Sequence, residues 1–122
     1  MEIFRRYDIR GTYPDEVNEE VAFNLGRATG TVANHTVVVG NDTRASSTPL
    51  KDAFIEGLLA SGVRVVDVGI GPVDMISLCG NILNADCSAM ITGSHLELHN
   101  NGFKHMYTRG NGFLDSDLQR IK

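Results

Sequence analysis

"TVVVGNDTRASSTPLKDAFIEGLLASGVRVVDVG", residues 36–69, decides the fold class. It opens on a continuous β-branched run closed by glycine (36–40), the pattern of a strand buried on both faces. "STPLKDAFIEGLLASG" (47–62) then reads as a capped helix. Thr48 is the expected N-cap, Pro49 fits the first helical position, and Gly62 suits the stop. Leu50, Ala53, Phe54, Gly57 and Leu58 recur at helical spacing and form its expected apolar face. "VRVVDVG" (63–69) is a second strand. Strand, helix, strand in this order implies a crossover between parallel strands.

The pattern extends in both directions. Upstream, Val17, Val21, Leu25, Ala28 and Val32 mark one face of a helix, with Glu16, Glu19 and Glu20 near its positive end. Downstream, "VDMISLCGNIL" (73–83) predicts a shorter helix and "CSAMIT" (87–92) a third strand. "FKHMYT" (103–108) predicts an edge strand and "DSDLQRI" (115–121) a last helix. The expected architecture is a single α/β domain over residues 1–122, a three-layer α/β/α sandwich on a mainly parallel mixed sheet.

Composition narrows the function classes. At 122 residues, 42% hydrophobic and 21% charged, the chain has the makeup of one ordinary globular domain. A net charge of -4 argues against nucleic acid, which calls for a basic stripe. No apolar run approaches the roughly 18 residues needed to span a membrane. "MEIFRRYDIRG" (1–11) has no apolar signal core, so the expected location is the cytoplasm. Cys79 and Cys87 are separated by seven residues in apolar surroundings and read as two reduced packing cysteines.

In open α/β sheets, ligands bind beyond the C-terminal ends of the strands. Three loops leave those ends: "GNDTRASS" (40–47), "GIGPVD" (69–74) and "TGSHLELHNNGFK" (92–104). The last admits three readings from its residues alone. "SHLELHN" alternates polar and apolar before Asn101-Gly102, a favourable type I′ turn pair, so it can be a plain hairpin. His95, Glu97 and His99 would share one strand face, with His105 as a possible fourth metal ligand, but such spacing is far less specific than HExxH or paired CxxC. Ser94, after Gly93 and just past a buried strand, can project into the crevice as a nucleophile, although an isolated serine there usually caps a turn.

Five motifs occur together and in order: "YDIRG" (7–11), "VVVGNDTRASS" (37–47), "VVDVGIGP" (65–72), "MITGSH" (90–95) and "NGFK" (101–104). Together they make the chain resemble the N-terminal domain, domain I, of the α-D-phosphohexomutases, the phosphomannomutase/phosphoglucomutase family. The resemblance implies an intramolecular phosphotransferase that interconverts hexose 1-phosphate and hexose 6-phosphate. By that resemblance Ser94 is the phosphoserine that gives its phosphoryl group to the substrate. The resulting hexose 1,6-bisphosphate turns over and rephosphorylates Ser94 from its other end. The resemblance also makes Arg10 a clamp for phosphoryl oxygens and Lys104 the group that exchanges a proton with the attacking hydroxyl. His95 orients Ser94 or the substrate, and Tyr7 joins Arg10 and Lys104 in substrate binding. The implied cofactor is Mg²⁺, reached from this chain only through the phosphate on Ser94. Asp42 and Arg44, within "GNDTRASS", are expected to pair and tie the loop beneath the site.

The sequence also departs from the family. Leu96-Glu97-Leu98 stands where Asn-Pro-Pro is usual, Pro72-Val73-Asp74 where Pro-Thr-Pro is usual, and Asn41 where arginine is common. Losing prolines frees the backbone to pair as strand, and Glu97 brings negative charge towards a phosphate site. The family's Mg²⁺ loop, sugar-recognition segment and distal phosphate site lie in domains II–IV, outside these 122 residues. The chain alone is therefore expected to show no mutase turnover. Its expected partners are a phosphosugar, the remaining mutase domains or a partner chain, and a second copy through a surface that those domains would cover. The competing expectation is a free-standing, non-catalytic module of mutase ancestry that binds a phosphorylated ligand or a protein.

Overall fold

The computed structural model describes residues 9–33, 35–92 and 100–107. Eight elements follow in order: β1 (Ile9–Thr12), α1 (Glu19–Ala33), β2 (Thr36–Asn41), α2 (Ser47–Ala60), β3 (Arg64–Ile70), α3 (Val73–Ile82), β4 (Cys87–Ile91) and β5 (Asn100–Tyr107). The strands form one mixed sheet in the order β1-β5-β4-β2-β3. β4, β2 and β3 are mutually parallel, whereas β5 runs antiparallel to both β4 and β1. With α1 and α2 on one face and α3 on the other, this is the expected three-layer α/β/α domain.

The larger core lies under α1 and α2. Phe54 of α2 packs on Phe103 of β5 with ring centroids 5.3 Å apart, among Ile9, Val37, Val39 and Ile91. The two helices touch through glycine. A Cβ on Gly57 would stand 2.0 Å from the Phe23 carbonyl oxygen, and one on Gly26 would stand 2.1 Å from that of Phe54. This contact explains a difference from the sequence reading of α1. The buried positions are Ala22, Leu25, Gly26, Thr29 and Gly30, whereas Val21, Ala28 and Val32 are only half-buried. The small residues, not the valines, turn towards α2 because only they let the backbones approach.

The face of α2 is close to expectation, but its start is not. The N-cap is Ser46, without a side-chain cap bond, and Thr48 lies inside the first turn. The Ser46 hydroxyl accepts a bond from Asn101 Nδ2 (2.7 Å) instead. Pro49 remains tolerable because its missing N–H falls where the helix leaves donors unpaired. Gly62 ends the helix with φ +91°, a left-handed value that glycine adopts without penalty.

β5 is not an edge strand as its sequence suggests; it lies between β1 and β4. The outer position belongs to β1, within the "YDIRG" motif. Nor does Asn101-Gly102 make a hairpin turn, since both residues sit inside β5 opposite Gly11 and Arg10. Gly102 serves the strand contact: a Cβ there would lie 2.1 Å from the Ile9 carbonyl oxygen.

On the second face α3 lies over β2 and β4, with Ile76 buried against Val38, Ala85 and Met90. Both cysteines are free thiols, Cys87 in the larger core and Cys79 against the smaller one. Burial, with a smaller effect of Asp86, pushes the Cys87 thiol up to about 12. Among the described residues no helix is long and apolar enough to cross a membrane. The expected helix over 115–121 lies outside the described residues.

Candidate functional site

The direction of the strands sets the site. β2, β3 and β4 all end at one edge of the domain, at Asn41, Ile70 and Ile91. β5 begins there because it is antiparallel to β4, and β1 ends there because it is antiparallel to β5. The segments after β2 and β3 and the turn after β1 therefore leave the sheet at the same edge as the exit of β4. Two bonds carry the ladders past the strand ends: Asp42 N donates to the Ile91 carbonyl (3.0 Å) and Thr92 N to that of Gly102 (2.9 Å).

The floor of the crevice on the α2 side is a hydrogen-bonded set. Asp42 accepts bonds from the Arg44 backbone N–H (3.1 Å), from Arg44 Nε (3.2 Å) and from the Ser47 hydroxyl. The expected Asp42–Arg44 pair is thus present, and it folds the loop back on itself. Asn101 Nδ2 donates to both Ser46 (2.7 Å) and Ser47 (2.9 Å), while its Oδ1 accepts the Gly102 N–H (2.9 Å). Asn101 and Ser47 are buried, so these bonds satisfy groups that water does not reach. The sequence reading missed Asn101 and both serines as a unit, because Asn-Gly carries a strong turn signal and nothing local marks it as a strand pair.

The opposite face carries the cations. Ile9 and Phe103 face each other in register and are both buried in the larger core. Their neighbours Arg10 and Lys104 therefore point to the other side, because side chains alternate along a strand. Arg10 stands opposite Gly102, which offers no side chain, and Lys104 lies two residues further along β5 on the same face. Across β4, Lys104 pairs with Met90 of the smaller core, which confirms the α3 side. Lys104 is exposed and Arg10 half-buried. One guanidinium and one ammonium group thus share one face of adjacent strands beside the exit of β4. Ser94 follows Thr92, the residue after that exit, by two positions in the chain. Tyr7, Ser94 and His95 lie outside the described residues, as does the stretch 93–99 that admits a loop or a hairpin.

His105 is part of the core and not of this face. It is fully buried on the α1–α2 side, its Nε2 2.9 Å from the Thr29 hydroxyl and its ring edge-on to Phe54 at 6.0 Å. Burial pushes its pKa down to about 4, so the ring is neutral at physiological pH. It does not serve as the fourth metal ligand considered from the sequence. A hollow of about 370 Å³ opens beside α2, lined by Tyr13, Arg44, Ala45, Ser46 and Pro49. Neither Arg10 nor Lys104 lines it.

Known proteins match the sequence and the fold over nearly the whole chain. Residues 1–122 match the family description "Phosphoglucomutase/phosphomannomutase, alpha/beta/alpha domain I". A phosphoglucomutase/phosphomannomutase of Thermococcus kodakarensis is 41% identical over 98% of this chain and 30% of its own length. A phosphomannomutase/phosphoglucomutase of Pseudomonas syringae pv. tomato is 42% identical over 98% of this chain and 26% of its own. The crystal structure of a phosphoglucomutase/phosphomannomutase family protein from Burkholderia thailandensis superposes with a TM-score of 0.89 at 34% identity, covering 98% of this chain and 28% of that one. The chain spans under a third of the length of each of these relatives.

Proposed function

The chain belongs to the phosphoglucomutase/phosphomannomutase family as its domain I, and from that membership we propose that it is the phosphoserine-bearing domain of a phosphohexomutase. The reaction is the interconversion of hexose 1-phosphate and hexose 6-phosphate, in a cytoplasmic setting. The observation that carries the reading is the pairing of Arg10 with Lys104 on one sheet face, beside the strand exit that leads to Ser94.

In this reading the phosphoryl group leaves Ser94 Oγ for a hexose hydroxyl: the Oγ–P bond breaks and the new sugar O–P bond forms. Lys104 accepts the hydroxyl proton and returns a proton to Ser94 Oγ. Arg10 holds phosphoryl oxygens with its planar fork of donors, which stabilises charge that a phosphoserine site concentrates. His95 and Tyr7 complete the contacts to the serine and the sugar. The bisphosphate then reverses in the crevice and phosphorylates Ser94 from its other end.

In this reading the phosphate on Ser94 would be this chain's contact to Mg²⁺, which would neutralise charge on the phosphoryl group during transfer. Among the described residues no three His, Cys, Asp or Glu side chains come together, and Asp42 at the crevice is engaged by Arg44 and Ser47. The described residues do not fit a metal site of their own. The other ligands and the opposite wall of the cleft belong, in this reading, to further domains or a partner chain.

Intact mass and peptide mapping of the protein from its native cells test the proposal. The expected result is phosphate on Ser94, lost in Ser94→Ala. The 122 residues alone are expected to give no turnover of a hexose 1-phosphate. An unmodified Ser94 on a chain of this mass would overturn the reading in favour of a binding module, and robust turnover by the 122 residues would overturn the need for the other domains.

A further inference from the structure

Gly102 lies between Arg10 and the exit of β4 and touches both. On one side it stands opposite Arg10, and a Cβ on it would lie 2.9 Å from the Arg10 Cβ. On the other side its carbonyl accepts the Thr92 N–H (2.9 Å), just past the end of β4. Two residues bonded in this way across an antiparallel ladder normally exchange both bonds. Here the Gly102 N–H donates to Asn101 Oδ1 instead (2.9 Å). A side chain thus takes the place of the backbone carbonyl that would extend the ladder.

The Asn101 amide is itself fixed from behind. Nδ2 donates to Ser46 (2.7 Å) and Ser47 (2.9 Å) at the start of α2, and Ser47 is tied in turn to Asp42 after β2. Only the amide oxygen can accept the Gly102 N–H, so that bond sets which way the group points. β1 is four residues long, lies outermost and pairs with β5 alone, so Arg10 takes its position from β5. Along β5 the core side is fastened at Asn101, at Phe103 against Phe54 and at His105 against Thr29, while Gly102 and Lys104 face the other way. Asn101 is the fastening nearest to both Arg10 and the exit of β4.

We propose that Asn101 is a positioning residue for the Arg10–Lys104 face: its amide ends the β4–β5 ladder at Thr92 and holds Gly102, against which Arg10 stands. Without the amide, the Gly102 N–H closes the pair with the Thr92 carbonyl. The ladder then grows by one pair, the chain leaves β4 later, and the distance from that exit to Arg10 changes. Asn101 touches no reacting atom and acts through Gly102. The inference rests on the reading of Ser94 as a phosphoserine held by Arg10.

The test is a pH titration of the phosphorus resonance in the 122-residue chain, with phosphoserine installed at Ser94 during synthesis. In the wild type the midpoint is expected to fall below the ordinary value of about 6, by about half a unit or more, because a facing cation favours the dianion. Arg10→Ala returns it to the ordinary value. Asn101→Ala returns it most of the way, with a native far-UV spectrum. In the same variant a through-hydrogen-bond coupling appears between the Gly102 nitrogen and the Thr92 carbonyl carbon. Asn101→Val, which a strand accepts more readily, carries the same expectations should the alanine variant not fold. A midpoint that Arg10→Ala raises and a folded Asn101 variant leaves alone would overturn the positioning role while the reading of Ser94 stands. A wild-type midpoint at the ordinary value and indifferent to Arg10→Ala would overturn that reading, and this inference with it. No new coupling in a folded variant would overturn the ending of the ladder by Asn101.

Discussion

On one face of the sheet, two helices bury Phe54, Phe103 and His105 and pack backbone against backbone at Gly26 and Gly57; on the other, a single helix anchors itself by Ile76 and leaves Leu78 and Ile82 in water. The described polar side chains inside the first face are hydrogen-bonded, His105 to Thr29 and Asn101 to Ser46 and Ser47. The second face carries the exposed apolar stripe and, beyond the reach of α3, the cations Arg10 and Lys104. The difference teaches how unevenly the buried core is divided. The α1–α2 side holds the larger core, and the α3 side carries the smaller core, the exposed apolar side chains and the two cations.

The largest test of that division is Phe54→Ala, which empties the centre of the sealed face. It is expected to cost about 3–5 kcal/mol in urea unfolding. A cost below about 1 kcal/mol would show that this face is not the main source of stability. Next comes acid. Because His105 is held near pKa 4 in the fold, against about 6.5 when unfolded, its contribution is fully present above pH 6.5. It is lost progressively as pH falls towards 4, by on the order of 3 kcal/mol, since only the unfolded chain binds the proton. His105→Gln is expected to flatten that part of the stability profile, and an unchanged acid slope would remove His105 as its cause. Gly57→Ala sharpens the same comparison, because its new methyl meets the Phe23 carbonyl. A loss of about 1–3 kcal/mol in thermal or urea unfolding is expected as the helices part. At the small end, Leu78→Ser on the exposed side of α3 is expected to change stability by less than about 0.5 kcal/mol in urea unfolding.

The sequence made the sealed face and the parallel strands easy to read, and left the antiparallel side obscure, for physical reasons. Val37–Val39, the period of Leu50, Phe54 and Leu58, and the glycine stop at 62 are local signals, and α2, β2, β3 and β4 fall within a residue or two of expectation. β1 is four residues long and reads as a motif, so nothing announced that it would shield β5 from the edge. On α1 and just before it, the residues that hydrophobicity picks out, Val17, Val21, Leu25, Ala28 and Val32, all meet the core, but close packing on α2 favours Gly26 and Gly30, which hydrophobicity does not mark. At the site, Arg10 and Lys104 came from resemblance to a family, not from any pattern. Their placement on one face needed the register of β1 on β5. The buried set around Asn101 was illegible because it joins residues more than fifty positions apart.

Asn101 also bears on how the protein ages. Asparagine followed by glycine is the pair most prone to lose its amide, because the unhindered glycine nitrogen can close a ring onto the side-chain carbonyl. Here that nitrogen already donates to Asn101 Oδ1, the side chain is buried, and both residues are held in the ladder with β1. Closing the ring requires the strand to leave the sheet. Deamidation at Asn101 is therefore a slow clock that runs only in molecules that have opened. Once struck, it puts a buried carboxylate against Ser47, which already donates to Asp42, and removes the donors that Ser46 and Ser47 accept from, so an opened copy is less able to close again. In stored protein, the deamidated peptide should accumulate in step with the open fraction, faster on warming and slower under any condition that stabilises the fold.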